Sequence, residues 1–317
     1  MSWSKPETAQ IRAALRRYAP QLAEERIEFL AEGWEFWAFT AGDFVLRFPK
    51  QERGYVWKLA DRSSAESLAT ERALTPVLAP ALSTSIAVSE IYGEDGPNGA
   101  PFAGHRYLPG EIVMYAARPP QTGFGAALSV FLRELKAFPA GRAVELGVPL
   151  FAGAALRADR VEHYEKVIRT AFPLLACEAR SHVERVYEAY LNDAASFDFE
   201  PVLVHTDLAV NTLIDPVTGH LNGVIDFDDV AVSSPALDLW LPTYGFAQLG
   251  IAAQTAACLR EAGVSAARLE RSQAELAFLD LRYPLLGVLH GVMLGDETFV
   301  EESLSELNAS LARNLRC

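Results

Sequence analysis

The chain has 317 residues, half of them hydrophobic and 22% charged, with 28 Lys and Arg against 41 Asp and Glu for a formal net charge of −13. That composition excludes extended disorder and collagen-like repeats, and the length predicts about two domains. The charge is uneven: residues 1–150 carry 16 basic and 17 acidic side chains, whereas residues 151–317 carry 12 and 24. Such a field repels nucleic acid and anionic membranes and draws cations to the second half. No apolar run reaches the ~18 residues of a membrane span, and the N-terminal segment lacks the apolar core of a signal peptide. Cys177, Cys258 and Cys317 are scattered, offering neither a disulfide framework nor a zinc site. A reduced, cytoplasmic protein is the expectation.

Residues 6–30 read as helical, with Ile11, Leu15, Tyr18 and Leu22 spaced by three and four. Two β-rich runs follow, Phe36–Thr40 and Phe44–Pro49, joined by Ala41-Gly42-Asp43 as a hairpin loop. Residues 64–80 look helical and carry Glu66 and Glu71; Ile86–Ile91 and His105–Leu108 read as further strands. From about residue 125 the pattern turns helical, over 125–138, 159–192, 235–262 and 266–315. Pro173, Gly263, Pro284, Gly287 and Gly291 divide these stretches into several helices. A mainly β lobe followed by a mainly α lobe is the coarse result.

One β-rich island lies inside the helical half, running from Val202 through His205, Asp207, Asn211 and Asp215 to Asp226. Val202–Val204, Leu213–Ile214 and Val224–Ile225 are its apolar anchors, and Asp207, Asn211 and Asp226 fall just outside them. A carboxylate against such a core needs a partner, because burying an unpaired charge is costly. Two carboxylates and an amide supply oxygen ligands suited to Mg²⁺, which is otherwise completed by phosphate oxygens and water. A carboxylate left clear of metal can accept a proton from a substrate hydroxyl.

At these residues the sequence resembles the aminoglycoside phosphotransferase family, which shares the protein-kinase architecture. His205-Thr206-Asp207 looks like its catalytic-loop motif and Ile225-Asp226-Phe227 like its second metal motif. The resemblance implies an α+β, kinase-like fold of two lobes: a five-stranded antiparallel N-lobe with one packed helix over residues 1–106, a hinge at 107–111 and a helical C-lobe over 112–317. It makes Asp207 the catalytic residue that orients the acceptor hydroxyl and takes its proton. Asp226 and Asn211 become the Mg²⁺ ligands. Asn211 stands four residues after Asp207 where the family places its ligand five after, and Thr212 holds that fifth place. Ser234-Pro235-Ala236-Leu237-Asp238-Leu239 resembles the segment whose last acid braces the catalytic loop, so His205 and Asp238 are supports of the site. Ser234 replaces the segment's first acid.

The same resemblance places the nucleotide under the first half. Gly33 sits at the turn over the phosphates, and Arg47 occupies the place of the phosphate-anchoring Lys, as in macrolide kinases. Glu71, with Glu66 as alternative, is the ion-pair partner of Arg47, and Tyr107 lies in the hinge against the purine. Arg282–Leu285 and Gly295–Glu302 are similar to the C-terminal helices of aminoglycoside kinases acting at the 2″ position. The implied activity is Mg²⁺-dependent transfer of the γ-phosphate of ATP or GTP to a hydroxyl of a small cationic antibiotic, an aminoglycoside first, by a monomer. The alternatives are a macrolide or other small-molecule kinase, whose apolar pocket would use Leu239, Trp240, Leu241, Tyr244 and Phe246, or an inactive kinase-fold binding module.

Overall fold

A computed structural model describes residues 2–53 and 62–314; Cys317 lies outside the described residues. Helix α1 (Thr8–Tyr18) buries Ile11, Ala14 and Leu15 along one face. The helix expected up to residue 30 ends well before it. Ile27–Glu32 is strand β1, antiparallel to β2 (Phe36–Ala41), which turns into β3 (Phe44–Pro49). The Glu, Leu and Ala of this segment favour helix intrinsically, but pairing from Ile27 with Ala41 to Glu32 with Trp37 overrides that preference. Strands β4 (Ser89–Gly93) and β5 (Phe102–Arg106) complete an antiparallel sheet in the order β1-β2-β3-β5-β4.

All of β3 is buried, because helices cover both faces of the sheet. Beside the expected helix α2 (Ser64–Leu78), α1 covers the opposite face and packs on Leu46, Phe48 and Phe102. Leu68 of α2 packs with Phe36 and Ala103 on the other side. Strand periodicity then decides which way each β3 side chain points. Leu46 and Phe48 turn to α1, and Arg47 turns to α2.

Two of the junctions between the lobes are made by backbone. At the hinge, Tyr107 N–H donates to the Asp43 carbonyl (2.7 Å), and Gly110 at φ 143 passes so close to the C-lobe that a Cβ would lie 3.0 Å from the Ile214 carbonyl oxygen. Glu111, expected in the hinge, begins strand β6 (Glu111–Ile112) of the C-lobe. The second junction lies at residues expected to be strand. Ile86 forms a lone bridge with Val224, and Ala87 N–H donates to the Val224 carbonyl at 3.1 Å.

Helices α3 (Phe124–Ala137), α4 (Ala140–Glu145), α5 (Gly153–Thr170) and α6 (Cys177–Asn192) open the C-lobe. The island supplies β7 (Val202–Val204), β8 (Thr212–Ile214), β9 (Leu221–Val224) and β10 (Ala231–Ser233); β6-β8-β9 form one small sheet and β7-β10 another. Helices α7 (Phe246–Gln248), α8 (Thr255–Glu261), α9 (Ala266–Arg271), α10 (Gln273–Leu294) and α11 (Glu297–Asn314) complete the lobe. Phe124, Phe131, Tyr187, Tyr190 and Phe278 form its core, with Tyr190 stacked on Phe278 at 4.5 Å.

Pro284, Gly287 and Gly291 do not break α10, contrary to expectation. The glycines serve packing: a Cβ on Gly291 would come 2.7 Å from Val300 Cγ2, so their absence of side chain lets α11 approach. Helix α10 is long and apolar enough to cross a membrane, but 78% of its apolar window is buried, as in a core helix.

Candidate active site

Arg47 sits on the α2 face of β3 between Ala38 and Ala103 of the flanking strands, whose small side chains leave room for a guanidinium. It forms ion pairs with Glu71 of α2 and with Asp226, and lies 4.9 Å from the Phe36 ring centroid. Burial alone would lower its pKa, but Glu71, Asp226 and Asp228 together raise it. Glu66 is occupied elsewhere. Its carboxylate caps α2, accepting from Ser63 N–H at 2.7 Å, while Glu66 N–H donates to Ser63 Oγ.

The catalytic-loop candidate, residues 205–211, leaves β7 and enters β8. Asp238 accepts His205 N–H at 2.9 Å and Thr206 N–H at 2.8 Å, so it braces the loop from behind. His205 Nε2 donates to the Ile225 carbonyl (2.9 Å), leaving Nδ1 to accept Asp207 N–H (3.4 Å). Burial holds this imidazole neutral, its pKa pushed down to about 4. The ring therefore ties the Asp207 loop to the Asp226 loop. Thr206 (φ 76) and Asp226 (φ 66) both adopt left-handed backbone, costly for such residues and maintained by these contacts. Tyr283 of α10 adds one more, donating to the Thr206 carbonyl at 3.0 Å.

Asn211 Nδ2 donates to the Asp207 carbonyl (3.0 Å) and to Asp207 Oδ2 (3.3 Å), which leaves its amide oxygen as the donor atom for a cation. Thr212 is fully buried and its hydroxyl donates to the Leu208 carbonyl at 2.7 Å. The shortened loop therefore presents Asn211. Burial, then Asp229 and Asp228, push the Asp207 carboxyl up to about 7. Asp226 is raised as well, by burial and Asp228 against the pull of Arg47. Carboxylates thus outnumber cations here, the imbalance a divalent ion relieves, and the Asn211 and Asp226 oxygens fit a hard cation such as Mg²⁺. Among the described residues no cluster of three or more His, Cys, Asp and Glu offers another metal site.

Two expected residues stand apart from this constellation. Gly33 forms the β1–β2 turn, its N–H donating to the Phe36 carbonyl at 2.9 Å. An added Cβ there would meet nothing closer than 3.8 Å, so glycine is not sterically required. Tyr107 has its N–H committed to Asp43 and its side chain 48% exposed, so a purine contact from Tyr107 falls to its carbonyl or ring. The residues expected to line an apolar acceptor pocket are instead largely buried. Leu239, Trp240, Leu241 and Phe246 are buried in the core, Trp240 Nε1 donates to Asp280 at 3.2 Å, and Tyr244 packs against the same core.

Sequence reasoning missed Asp228 and Asp229, although their place directly after Asp226-Phe227 was a signal.

The profile of a phosphotransferase enzyme family matches residues 26–262. The chain belongs to that family. It is a phosphotransferase with a kinase-like, two-lobed fold. A solved APH(2″) structure complexed with GDP and kanamycin is 26% identical, with a TM-score of 0.77 over 95% of this chain and 98% of that one. Wild-type aminoglycoside 2′-phosphotransferase-IIIa with GDP is 25% identical, TM-score 0.76, over 95% and 97%. A macrolide 2′-phosphotransferase from Brachybacterium faecium, 21% identical with a TM-score of 0.61 over 95% and 98%, shares the fold. No curated protein matches the chain.

Proposed function

We propose that this phosphotransferase moves the γ-phosphate of ATP or GTP to a hydroxyl of a small cationic molecule of the aminoglycoside class. The observation that carries the reading is the joining, in one interlobe cleft, of the Arg47–Glu71–Asp226 ion pairs to a catalytic loop in which Asn211 holds Asp207. Arg47 gives a guanidinium fork for phosphate oxygens. Asp226 and Asn211 hold Mg²⁺, which neutralises charge on the transferred group. Asp207 orients the acceptor hydroxyl and takes its proton as transfer proceeds, with His205 and Asp238 fixing the loop. Phosphoryl transfer through a loose transition state needs such positioning more than a strong base.

The acidic character of the acceptor side favours a cation. Asp207 stands among Asp228, Asp229 and Asp238, which with burial raise its carboxyl. A macrolide reading loses its apolar pocket to the core. An inactive binding module would not need Asp207 and Asp226 kept as two supported carboxylates on left-handed or adjoining backbone.

The test is nucleotide consumption and product mass for ATP and GTP with kanamycin, a macrolide and a small amino alcohol, at two ionic strengths. Going from about 0.01 M to about 0.15 M salt shortens the Debye length from about 30 Å to about 8 Å. Phosphorylated kanamycin is expected, with an acceptor KM that rises severalfold with salt. Turnover confined to an uncharged acceptor, or independent of salt, would contradict the reading.

A further inference from the structure

The peptide that joins Thr206 to Asp207 is held at both ends. Tyr283 of α10 donates its hydroxyl to the Thr206 carbonyl at 3.0 Å, and His205 Nδ1 accepts the Asp207 N–H at 3.4 Å. The preceding peptide is held as well, because Asp238 accepts the Thr206 N–H at 2.8 Å. The two dihedrals of Thr206 are rotations relative to these two planes, so pinning both planes fixes them. That hold is needed at a threonine with φ 76, a region a β-branched residue enters only when its surroundings impose it. His205 belongs to the loop itself. The supports from outside it are Asp238, which follows β10, and Tyr283.

The place of the Tyr283 hydroxyl is itself built. Its ring meets Trp240 edge-on, centroids 5.3 Å apart and planes 69° apart. Trp240 is buried, and its Nε1 donates to Asp280 at 3.2 Å. Asp280 and Tyr283 stand three residues apart on one face of α10, so the helix grips the indole at its N–H and at its ring. Arg313 of α11 donates to the same Asp280 oxygen at 2.9 Å, which keeps a fully buried carboxylate paired. Trp240 also lies two residues after Asp238, so one segment seats Tyr283 and holds the Thr206 N–H. Burial, Asp207 and Asp238 raise the Tyr283 pKa, and the phenol remains a donor.

We infer that Tyr283 is a positioning residue of phosphoryl transfer: its hydroxyl fixes the Thr206–Asp207 peptide, and with it the direction in which Asp207 meets the acceptor hydroxyl. This rests on the role given to Asp207 in the preceding subsection. Asn211 steadies the Asp207 carboxylate at 3.3 Å, but a side chain is placed no better than the peptide that bears it. Without the phenol oxygen the Thr206 carbonyl loses that bond in a half-buried loop, and the peptide plane gains freedom. Displacing a reacting group by about 1 Å can cost about 10²-fold in rate. Arg47 and Asp226, on the nucleotide side, pair with each other and with Glu71, so their placement does not pass through this peptide.

Tyr283→Phe removes the hydroxyl and keeps the ring on Trp240. Turnover of kanamycin with Mg²⁺ and ATP or GTP, calorimetric nucleotide affinity and thermal melts are compared for the wild type, Tyr283→Phe, Asp207→Asn and the double variant. Tyr283→Phe should lower kcat about 10–10²-fold, with nucleotide affinity unchanged and a melting temperature no more than about 4 °C lower. The double variant should turn over no more slowly than Asp207→Asn, since a residue acting through Asp207 has nothing left to position. A wild-type kcat in Tyr283→Phe, an equal loss of nucleotide affinity, or additive losses in the double variant would overturn the inference. Hydrogen exchange needs no acceptor: residues 203–211 should exchange faster in Tyr283→Phe than in the wild type, and unchanged exchange there would also overturn it. Faster exchange without kanamycin turnover, or with Asp207→Asn as active as the wild type, would instead count against the preceding reading and leave the hold of Tyr283 on this peptide supported.

Discussion

Arg47 meets two carboxylates at once, something its planar, forked guanidinium does and a compact ammonium does less well. Ala38 and Ala103 on the neighbouring strands make the space, and Glu71 and Asp226 hold the charge from two lobes. The Glu71 partner was expected from the family resemblance, with Glu66 as alternative, whereas the pair with Asp226 of the other lobe was not read from the sequence. Spacing alone left Asn211 and Thr212 in competition for the proposed metal, and the Thr212 hydroxyl, spent on the Leu208 carbonyl, favours Asn211. Asn211→Ala should therefore weaken Mg²⁺-dependent nucleotide binding and turnover. Thr212→Val should cost about 1 kcal/mol of stability, the worth of one buried hydrogen bond, with turnover near wild type. Titrating Mg²⁺ into both variants, alongside thermal melts, checks the assignment; the opposite ranking would give the ligand role to Thr212. Tyr283 was not legible as a support of the loop. Its bond to Thr206 spans 77 residues, and no local pattern marks a hydroxyl for a carbonyl so distant.

Helix α10 is the element that sequence punctuation misjudged most. Pro284 and two glycines read as breaks, yet the helix runs from Gln273 to Leu294 because α11 packs into the space the glycines leave. Strand β1 failed for the reverse reason, since its residues favour helix and only partner β2 makes them a strand. Within α10, Glu275 is buried and accepts the Ser234 hydroxyl at 2.7 Å, an acid from another element standing beside the position where the family's segment carries its own. Burial pushes its pKa up to about 7 from 4.5 against the pull of Ser234 and Arg160. The folded state thus holds a proton that the unfolded state has lost between pH 4.5 and 7, so this group's contribution falls as pH rises across that window. Glu275→Gln keeps a hydrogen-bonding side chain and cannot ionise. It should match the wild type below about pH 4.5 and exceed it above pH 7, by at most about 3 kcal/mol at 1.36 kcal/mol per pKa unit. Thermal melts of both proteins from pH 4 to 8 measure the difference; a Gln variant weaker at every pH would show that Glu275 is held as an ion.

At the scale of the molecule, the sequence pattern gave two lobes because helical and strand periodicities change near the hinge. It could not show the second junction at Ala87 and Val224, nor the stacking of Trp34 on His290 of α10 with ring centroids 5.1 Å apart, since both arise from residues far apart in the chain. These links matter to the chemistry. Asp226 sits two residues after Val224 and receives Arg47 from the N-lobe, while Asp207 is fixed entirely by the C-lobe through Asp238, His205 and Tyr283. On the proposed reading, nucleotide binding and acceptor activation therefore rest on different supports. The central claim is that Asp207 serves the acceptor and not the nucleotide. The direct measurement is kcat with a phosphorylated acceptor, together with the calorimetric affinity for Mg²⁺ and nucleotide, for Asp207→Asn. The account predicts a fall in kcat of about 10²–10⁴-fold, the range of a lost general base, with nucleotide affinity unchanged and the fold intact. Turnover near the wild-type value, or an equal loss of nucleotide affinity, would contradict it.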